Sequence, residues 1–316
     1  MASERVLVTG GAGFIGSNLV HRLLADGFGV RVLDNFATGR RENLEGVIGD
    51  VDLVEGDLQS YERVHNAVRG CEVVFHVGAL PSVPRSVQDP LTSNATNVVG
   101  TLNVLLSARD LDVRRVVYSS SSSVYGSGTE LPKHEGLPTR PIAPYAVSKL
   151  AGEGYCSSFT EVYGLDTVSL RYFNVFGPRQ DPGSQYSAVI PKFIAAFQTG
   201  AEPIVHGDGE QTRDFTYIDN GVEANVRAAL AGEAAAGKAF NIACGAALSL
   251  NEIVAELQAI SGSSIEPRHV EPRVGDVRQS LADVSGARQA LDYEPLVDAR
   301  EGLRRAYEWY EQLAVA

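Results

Sequence analysis

A tyrosine and a lysine one helical turn apart could carry out acid–base chemistry in this chain. Tyr145 and Lys149 lie in PYAVSKLAGEGY, residues 144–155, which is predicted to be helical after its proline. At positions i and i+4 of a helix the two side chains share a face, so the ammonium group lies beside the phenol. A free phenol has a pKa of about 10, and lowering it to near 7 requires about 4 kcal/mol in favour of phenolate. A nearby lysine can supply part of that in a sheltered cleft. The pair predicts a tyrosine general base, unless both side chains lie on a solvated helix face.

The elements that would position this pair begin with a strand, a glycine turn and a helix. RVLVTGGAGFIGSNLVHRLLADG passes from a short apolar run through glycines to apolar residues at helical spacing. Gly10, Gly13 and Gly16 allow a sharp turn, and they let a pyrophosphate approach the first N–H groups of the helix, where the dipole favours an anion. Glycine turns without nucleotides are common, so this pattern alone is a weak indication of a dinucleotide site.

An acidic residue at the end of the next predicted strand strengthens that indication. Asp34 ends the apolar run VRVLD, where a carboxylate can hold both hydroxyls of an adenosine ribose. The carboxylate favours NAD over NADP, because it would repel a 2'-phosphate. Arg40 and Arg41 follow shortly after Asp34 and keep the NADP alternative open.

Apolar strands alternate with helical stretches through the rest of the first half. VDLVEGD, CEVVFHVGA and RRVVYSSSSSVYG read as further strands, and such alternation predicts an α/β fold, a Rossmann-type doubly wound parallel sheet. Asp57 ends one strand, where it could bind the adenine amino group or cap the following helix. Gly78 and Ala79 end the next strand, where small residues let backbone approach a cofactor.

Five consecutive serines, Ser119 to Ser123, follow an apolar strand directly. They could form a flexible linker, but they run from VVY into VYG and are predicted to continue the strand. Hydroxyl groups at the carboxyl end of a parallel strand face the ligand crevice. We therefore expect the serines to lie near Tyr145.

The composition limits the partners of the chain. With 316 residues, 44% of them hydrophobic, the chain can bury a full core. Its net charge of −12 argues against nucleic-acid and anionic-membrane partners, although a small phosphorylated substrate needs only a few local arginines. No apolar run of membrane-spanning length or signal-peptide pattern occurs, so we expect a cytoplasmic protein.

The cysteines do not predict a disulfide framework or a metal site. Cys71, Cys156 and Cys244 are far apart and have neither a C-x-x-C spacing nor a nearby histidine pair. Small buried thiols are the simpler interpretation. We therefore expect no metal ion.

These motifs resemble a known family. TGGAGFIG, Asp34, YSSSSSVYG and the Tyr145–Lys149 pair are similar to those of extended short-chain dehydrogenases/reductases, and nearly the whole chain resembles the UDP-sugar 4-epimerases among them. PSVPRSVQDP, LRYFNVFGPRQDP, GDGEQTRDFTYIDN and EPRVGDVRQSLADVSGA are similar to bacterial enzymes that interconvert UDP-N-acetylglucosamine and UDP-N-acetylgalactosamine.

The resemblance implies NAD as the cofactor and Ser121, Tyr145 and Lys149 as the catalytic residues. The Ser121 hydroxyl would bridge the sugar 4-OH and Tyr145, while Lys149 would hold the nicotinamide ribose and lower the pKa of Tyr145. The residues expected to contact NAD are Gly10, Gly13, Phe14, Ile15, Gly16, Asp34, Asn35, Asp57, Leu58, Val77, Gly78, Ala79, Asn97, Ser119, Tyr145, Lys149 and Tyr172.

The resemblance also implies a UDP-sugar substrate. Asn174 matches a diphosphate-contacting asparagine, Arg213 and Arg273 match arginines at the pyrophosphate, and Asp276 matches a ribose-binding acid. The residues expected to contact the substrate are Ser82, Arg85, Ser121, Ser122, Ser123, Tyr145, Asn174, Ala188, Val189, Val205, Arg213, Arg273, Asp276 and Ser280. The role of Arg85 stays open between a substrate contact and a surface charge.

The implied reaction is epimerisation at C4 of a UDP-hexose through a 4-keto intermediate. Relatives that dehydrate or decarboxylate nucleotide sugars usually carry an acid just before VYG, where this chain has Ser123, so simple epimerisation is favoured. Ser280 stands where a bulky tyrosine restricts relatives to UDP-glucose and UDP-galactose, which predicts that the N-acetylated sugars are accepted. The alternatives are a UDP-glucuronate 4-epimerase, a decarboxylase or a 4,6-dehydratase, and more distantly a non-catalytic dinucleotide sensor.

The resemblance divides the chain into two parts. Residues 1–173 are expected to form the NAD-binding domain, and residues 174–316 a smaller α/β domain for the nucleotide sugar. The strand at 239–245 is expected to return to the large sheet. Helices near 94–109 and 145–163 resemble those that pair in a four-helix dimer interface, so we expect a homodimer.

Overall fold

A seven-stranded parallel sheet forms the centre of the molecule. The computed structural model describes residues 4–183, 189–272 and 278–315. Its strands are β1 (Arg5–Thr9), β2 (Gly29–Asp34), β3 (Asp52–Glu55), β4 (Val73–His76), β5 (Arg115–Ser121), β6 (Thr167–Tyr172), β7 (Val175–Phe176), β8 (Ile204–His206), β9 (Thr212–Asp214), β10 (Thr216–Tyr217), β11 (Lys238–Ile242), β12 (Ala247–Ser249) and β13 (Arg268–Val270).

The helices lie between these strands along the chain. They are α1 (Phe14–Ala25), α2 (Tyr61–Val68), α3 (Val83–Gln88), α4 (Pro90–Asn94), α5 (Gly100–Asp110), α6 (Pro144–Tyr163), α7 (Val189–Thr199), α8 (Ile218–Leu230), α9 (Leu250–Ser261), α10 (Ser285–Leu291) and α11 (Ala299–Val315). The predicted helix near 94–109 is interrupted, because a π-helical turn at Ala95–Val99 joins α4 to α5.

The strand order in the large sheet is β11-β6-β5-β4-β1-β2-β3, and all neighbouring strands are parallel. Four of the five residues of β1 are buried, as expected for a strand covered by helices on both faces. Leu7 packs into the core on one face, and Val6 and Val8 pack into the core on the other. The α/β Rossmann-type prediction is confirmed. In such a sheet a ligand crevice lies where the strand order reverses, between β1 and β4.

Helix α6 packs unusually close to β5. It begins with Pro144 in its first turn and ends at Gly164, whose φ of 72° is left-handed. A Cβ atom on Gly152 would lie 2.2 Å from the Tyr118 hydroxyl oxygen. Glycine at this helical position therefore brings the Tyr145–Lys149 face of α6 directly against β5.

The remaining strands form three two-stranded ladders beyond the large sheet. β7 pairs with β10 and β8 with β13, both in parallel, and β12 pairs with β9 in antiparallel. Helix α9 begins with a capping box between Ser249 and Glu252. Strand β11 instead pairs with β6 and forms the outer edge of the large sheet, so residues from the second half of the chain complete that sheet.

Two expectations need correction. The serine run continues the strand only to Ser121, since Ser122–Tyr125 form a 3-10 turn that redirects the chain. Cys71 and Cys156 are buried thiols, but Cys244 is only half-buried. In the described ranges, no group of three His, Cys, Asp or Glu side chains could hold a metal ion, and no helix there has the length and apolarity to cross a membrane.

Candidate active site

A cavity of about 650 Å³ opens at the carboxyl ends of the central strands. Ser82 and Arg85, which were predicted to bind substrate, lie in its wall together with Tyr145. The wall also contains, from the residues predicted to bind the cofactor, Gly10, Gly13, Phe14, Ile15, Gly16, Asp34, Asn35, Asp57, Leu58, Val77, Gly78, Ala79, Ser119, Lys149 and Tyr172. The fold thus brings almost all of these distant residues to one crevice.

The glycine turn forms one side of the cavity. The Gly13 N–H donates to the Gly10 carbonyl at 3.0 Å, and a Cβ atom on Gly16 would lie 2.1 Å from that carbonyl oxygen. Within the described residues no side chain caps the N-terminus of α1. The first N–H groups of α1 therefore suit an anion such as a diphosphate.

Asp34 lies at the far end of the same wall. Its carboxylate accepts backbone N–H groups from Ala12 at 2.9 Å and from Phe36 at 2.8 Å, and burial raises its pKa above the usual value. Arg40 is paired with Asp181, and Arg41 with Glu55. The carboxylate of Asp34 thus fits the ribose hydroxyls of NAD, and the two arginines that kept NADP open are paired with carboxylates.

Asp57 is held as a turn residue beside the cavity. It accepts hydrogen bonds from the Asn35 side chain and from the Gln59 N–H, both at 2.8 Å. The alternative of a helix cap is wrong, because Ser60 caps α2. Asp57 therefore remains available as an acceptor at the end of β3.

The Ser121 side chain, at the end of β5, lies close enough to Tyr145 to lower the pKa of its phenol. Lys149 donates from Nζ to the Ser119 carbonyl at 2.8 Å, and its Nζ lies 6.0 Å from the centroid of the Tyr145 ring. The three residues predicted to be catalytic therefore meet along the contact between α6 and β5.

In the protein by itself the pKa of Tyr145 is raised rather than lowered. Burial raises the pKa of Tyr145 to about 12, and the Ser121 hydroxyl opposes that shift. Burial also lowers the pKa of Lys149 to about 8. The hydrogen bond to Ser119 directs the ammonium group to the end of β5, so burial dominates the titration of the phenol.

Asn97 is fully buried behind the cavity wall. In place of the predicted cofactor contact, its side chain accepts from the Leu80 N–H at 2.7 Å and donates to the Leu80 carbonyl at 3.1 Å. It also donates to the Ser148 hydroxyl at 3.0 Å, and that hydroxyl donates to the Tyr145 carbonyl at 2.7 Å. Asn97 therefore acts on the cavity through the backbone of Leu80 and Tyr145.

A buried histidine continues this polar chain. The Thr101 hydroxyl donates to the Asn97 carbonyl at 2.6 Å, so it accepts from Nε2 of His76 at 2.9 Å. Nδ1 of His76 then accepts from the Thr9 hydroxyl at 2.8 Å, and Thr9 accepts the Gly78 N–H at 3.1 Å. Burial lowers the pKa of His76 to about 3, so the imidazole is neutral and fixed in one tautomer.

A second cavity of about 560 Å³ lies in the second half of the chain. Its wall contains Asn174, Val189 and Arg213 from the predicted substrate residues. Tyr172, at the end of β6, lines the first cavity, and Asn174, two positions further along the chain, lines the second. The pairing of an arginine with apolar side chains suits a charged, aromatic ligand.

The other predicted substrate residues are placed differently. Val205 is fully buried in the core, so its predicted substrate contact is wrong, because strand alternation turns Ile204 and His206 to the cavity instead. Ser122 and Ser123 lie in the 3-10 turn after β5. The Ser280 N–H donates to the Thr212 carbonyl at 3.1 Å beside β9. Three further predictions, Ala188, Arg273 and Asp276, lie outside the described residues.

Several cavity residues were not predicted. Gln180 and Asp181 line the first cavity, while His206 and Gln211 line the second. Each pair lies in a polar, glycine-containing segment, GPRQDP and HGDGEQ, that follows a strand. Polar residues in such segments after parallel strands are a signal that could have identified them.

Comparison with known proteins agrees with this geometry. The sequence profile of the NAD dependent epimerase/dehydratase family matches residues 6–243. A UDP-glucose 4-epimerase of Mycolicibacterium smegmatis is 40% identical over 314 residues, which cover 97% of this chain and 98% of that protein.

Two solved structures have the same fold over nearly their whole length. A UDP-N-acetylglucosamine 4-epimerase from Methanobrevibacter ruminantium, in complex with UDP-N-acetylmuramic acid, has a TM-score of 0.94 and 38% identity, covering 99% of this chain and 100% of that one. A UDP-glucose 4-epimerase from Thermotoga maritima, with UDP-glucose, has a TM-score of 0.93 and 36% identity, covering 98% and 99%. The resemblance seen in the motifs is confirmed, and the chain belongs to the NAD dependent epimerase/dehydratase family.

Proposed function

We propose that this NAD-dependent enzyme is an isomerase that inverts C4 of a UDP-hexose. The observation that carries the proposal is that Tyr145 and Lys149 line the same cavity as the glycine turn, with the Ser121 side chain beside the phenol. A base and a dinucleotide site in one crevice suit the oxidation of an alcohol and the reduction of the resulting ketone.

The chain's own residues would handle the proton. Tyr145 removes the proton of the sugar 4-OH, and the Ser121 hydroxyl bridges the two oxygens. When bound, NAD supplies the hydride acceptor for C4 and, after the sugar has turned, the hydride donor to its other face. Tyr145 then returns the proton to the 4-keto oxygen. The positive charge of Lys149 favours the phenolate that the first step requires.

The two cavities support a division of labour. We assign NAD to the first cavity, with Asp34 at the ribose and the start of α1 at the diphosphate, and the UDP group to the second. In this assignment, residues 1–173 together with β11 form the NAD-binding part, and residues 174–316 form the part that binds the nucleotide sugar. Asn174 and Arg213 would hold the diphosphate, with Arg273 and Asp276 contributing from outside the described residues.

We further propose that the N-acetylated sugars are substrates. Ser280 is a small residue beside β9, where a large side chain would crowd an acetamido group. The absence of an acid at Ser123 disfavours elimination chemistry, which needs an acid and a base at the departing hydroxyl. UDP-glucose is a second expected substrate.

The test is to incubate purified protein, without added NAD, with UDP-N-acetylglucosamine. Formation of UDP-N-acetylgalactosamine, followed by anion-exchange chromatography or proton NMR, at a fixed final ratio would support both the reaction and a retained cofactor. Absence of epimer, even with added NAD and with UDP-glucose and UDP-glucuronate, would reject the reaction. Stoichiometric accumulation of NADH would instead indicate a net oxidation.

We also propose a homodimer through α6, one of the two helices expected at the interface, together with its neighbours α3 and α4 in place of the helix expected near 94–109. Apolar side chains cluster on these helices in exposed positions: Val87 is 63% exposed, Leu91 82%, Val147 52% and Val162 66%. An apolar surface spread over neighbouring helices is typical of a protein interface, and a second copy presenting the same surface would bury it by two-fold symmetry.

A further inference from the structure

Helix α6 contacts three consecutive serines of β5 through three residues spaced one turn apart. Tyr145 lies beside the Ser121 side chain, Lys149 donates to the Ser119 carbonyl, and Glu153 accepts from the Ser120 hydroxyl. Positions i, i+4 and i+8 share a helix face, so the third contact continues the row formed by the two reacting residues. No proton or hydride transfer of the proposed reaction uses Glu153.

Glu153 is bound to a buried arginine of β6. Arg171 donates from Nε at 2.9 Å and from Nη2 at 2.7 Å to the two carboxylate oxygens. Each side chain of this pair is 7% exposed. A buried ion pair with this bidentate geometry is weak evidence for stability, because apolar residues of similar size often serve as well. Its location is therefore the more informative property.

The pair fixes the chain on both sides of Ser121. Ser120 and Arg171 are opposite each other in the sheet, and Asn241 of β11 is opposite Arg171 on the other side. Arg171 also donates from Nη1 to the Tyr125 hydroxyl at 2.9 Å, and that hydroxyl donates to Asn241 at 2.7 Å. The strand before Ser121 and the turn after it are thus both tied to one ion pair.

We propose that Glu153 and Arg171 are positioning residues for the reaction proposed above. Through Ser120 and Tyr125 they fix the position of Ser121 relative to Tyr145, and the Glu153 carboxylate places a negative charge one helical turn from Lys149. Neither residue lines the cavity, so the pair acts on the chemistry through its neighbours.

The charges around Lys149 support the second part of this proposal. Burial lowers the pKa of Lys149, while Cys156 and Glu153 oppose that shift. Because burial raises the pKa of Cys156 to about 12, the thiol is neutral at the pH where Lys149 titrates. The negative charge near Lys149 therefore comes from Glu153. Tyr145 on α6, Tyr118 on β5 and His76 on β4 also lie near Lys149, and Arg171 on β6 is paired with Glu153.

The experiment is a direct titration of Lys149 by NMR with carbon-13-labelled lysine. The sequence contains four lysines, Lys133, Lys149, Lys192 and Lys238, so single Lys→Arg replacements of the other three assign the signals. The protein is used as isolated, with any bound cofactor left in place. We expect Lys149 to titrate at a lower pH in Glu153→Gln than in the wild type, because the nearby negative charge is lost.

The matched control breaks a partly buried ion pair at the other end of the same strand. Arg115 begins β5 and is paired with Asp166, with 5% and 24% of their side chains exposed. Asp166→Asn should lower the thermal stability as Glu153→Gln does, yet leave the Lys149 titration and kcat unchanged. An equal shift of Lys149 in both variants, or no shift in either, would overturn the proposal.

Kinetics separate positioning from a general loss of structure. For Glu153→Gln we expect kcat to fall about tenfold to a hundredfold, since small misplacements of reacting groups have effects of this size, while KM for the nucleotide sugar stays within about twofold. Arg171→Lys keeps the positive charge and should retain part of the wild-type kcat. Ser120→Ala should lower kcat and leave the Lys149 titration unchanged. An unchanged kcat in Glu153→Gln and Ser120→Ala would reject the positioning role.

The titration does not depend on the proposed reaction. If the wild-type protein proves inactive on every nucleotide sugar while Lys149 still shifts in Glu153→Gln alone, the epimerase proposal fails and the electrostatic role of Glu153 stands. If the wild type is active and the Lys149 titration does not shift in Glu153→Gln, the epimerase proposal stands and the electrostatic role of Glu153 fails.

Discussion

The Ser121 hydroxyl and the Tyr145 phenol lie beside each other although one residue ends β5 and the other begins α6. The contact requires α6 to approach β5 as closely as Gly152 allows. It places a hydroxyl donor next to a phenol that burial keeps protonated. A base of this kind becomes active when positive charge in the cavity favours the phenolate.

Removal of the Tyr145 hydroxyl should abolish most of the activity without unfolding the protein. Tyr145→Phe keeps the ring in its buried position, and we expect kcat to fall by about 10²- to 10⁴-fold, the usual contribution of a general base. The measurement is the initial rate of C4 epimerisation at saturating substrate. NAD released by acid from the variant should equal that from the wild type, and a variant with normal kcat would refute the assignment of the base.

Acid should destabilise the folded protein through His76. Its folded-state pKa of about 3 lies below the value of about 6.5 expected in the unfolded chain. The unfolded state therefore binds the extra proton between these pH values, and stability falls as the pH falls through this window, by about 5 kcal/mol at most. Urea unfolding of the wild type and of His76→Gln from pH 7 to pH 4 measures the difference.

The glutamine variant cannot titrate, so its stability relative to the wild type should rise as the pH falls. His269→Gln, at an exposed histidine of β13, should show no such trend. Parallel curves for the wild type and His76→Gln would mean that His76 is not buried as a neutral side chain.

A bulky residue at position 280 should discriminate between the two kinds of sugar. For Ser280→Tyr we expect the kcat/KM for UDP-N-acetylglucosamine to fall at least about tenfold relative to that for UDP-glucose, since steric exclusion of a small group has effects of this size. Coupled assays with each sugar measure the ratio. Ser280→Ala is the control with a small side chain and should keep both activities. Equal losses of kcat/KM for the two sugars in Ser280→Tyr would contradict the proposal that residue 280 selects the substrate.

A charge on the exposed apolar surface should dissociate the proposed dimer. Leu91→Asp places a carboxylate at a side chain that is 82% exposed in a single copy, and burying it in an interface would be unfavourable. Light scattering coupled to size exclusion should give the monomer mass for Leu91→Asp. Leu230→Asp, at an equally apolar side chain that is 68% exposed at the end of α8, should keep the mass of the wild type.

Local patterns were sufficient to predict the first cavity. The glycine turn, Asp34 and the Tyr145–Lys149 spacing each depend on one strand end or one helix face, and the parallel sheet brings strand ends together at one edge. The α/β fold followed from the same alternation of apolar strands and helices. These features are short-range, which is why they are visible in the sequence.

The features that escaped prediction depend on contacts between distant segments. Val205 looked like a cavity residue, but strand alternation turns it to the core. The interrupted helix before α5 and the pKa of Tyr145 depend on packing and burial, which no local pattern encodes. The Glu153–Arg171 pair joins a helix to a strand, and its partner Asn241 comes from β11, so only the assembled sheet reveals it.

Strand β11 also affects the order in which the molecule can be completed. The outer neighbour of β6 comes from Lys238–Ile242, long after the rest of the sheet has been synthesised. A fragment ending at residue 173 would expose the whole hydrogen-bonding edge of β6, which is a template for aggregation. The nascent chain can therefore close its nucleotide-binding sheet only when most of the second half has left the ribosome, and this ties the folding of the two halves into one event.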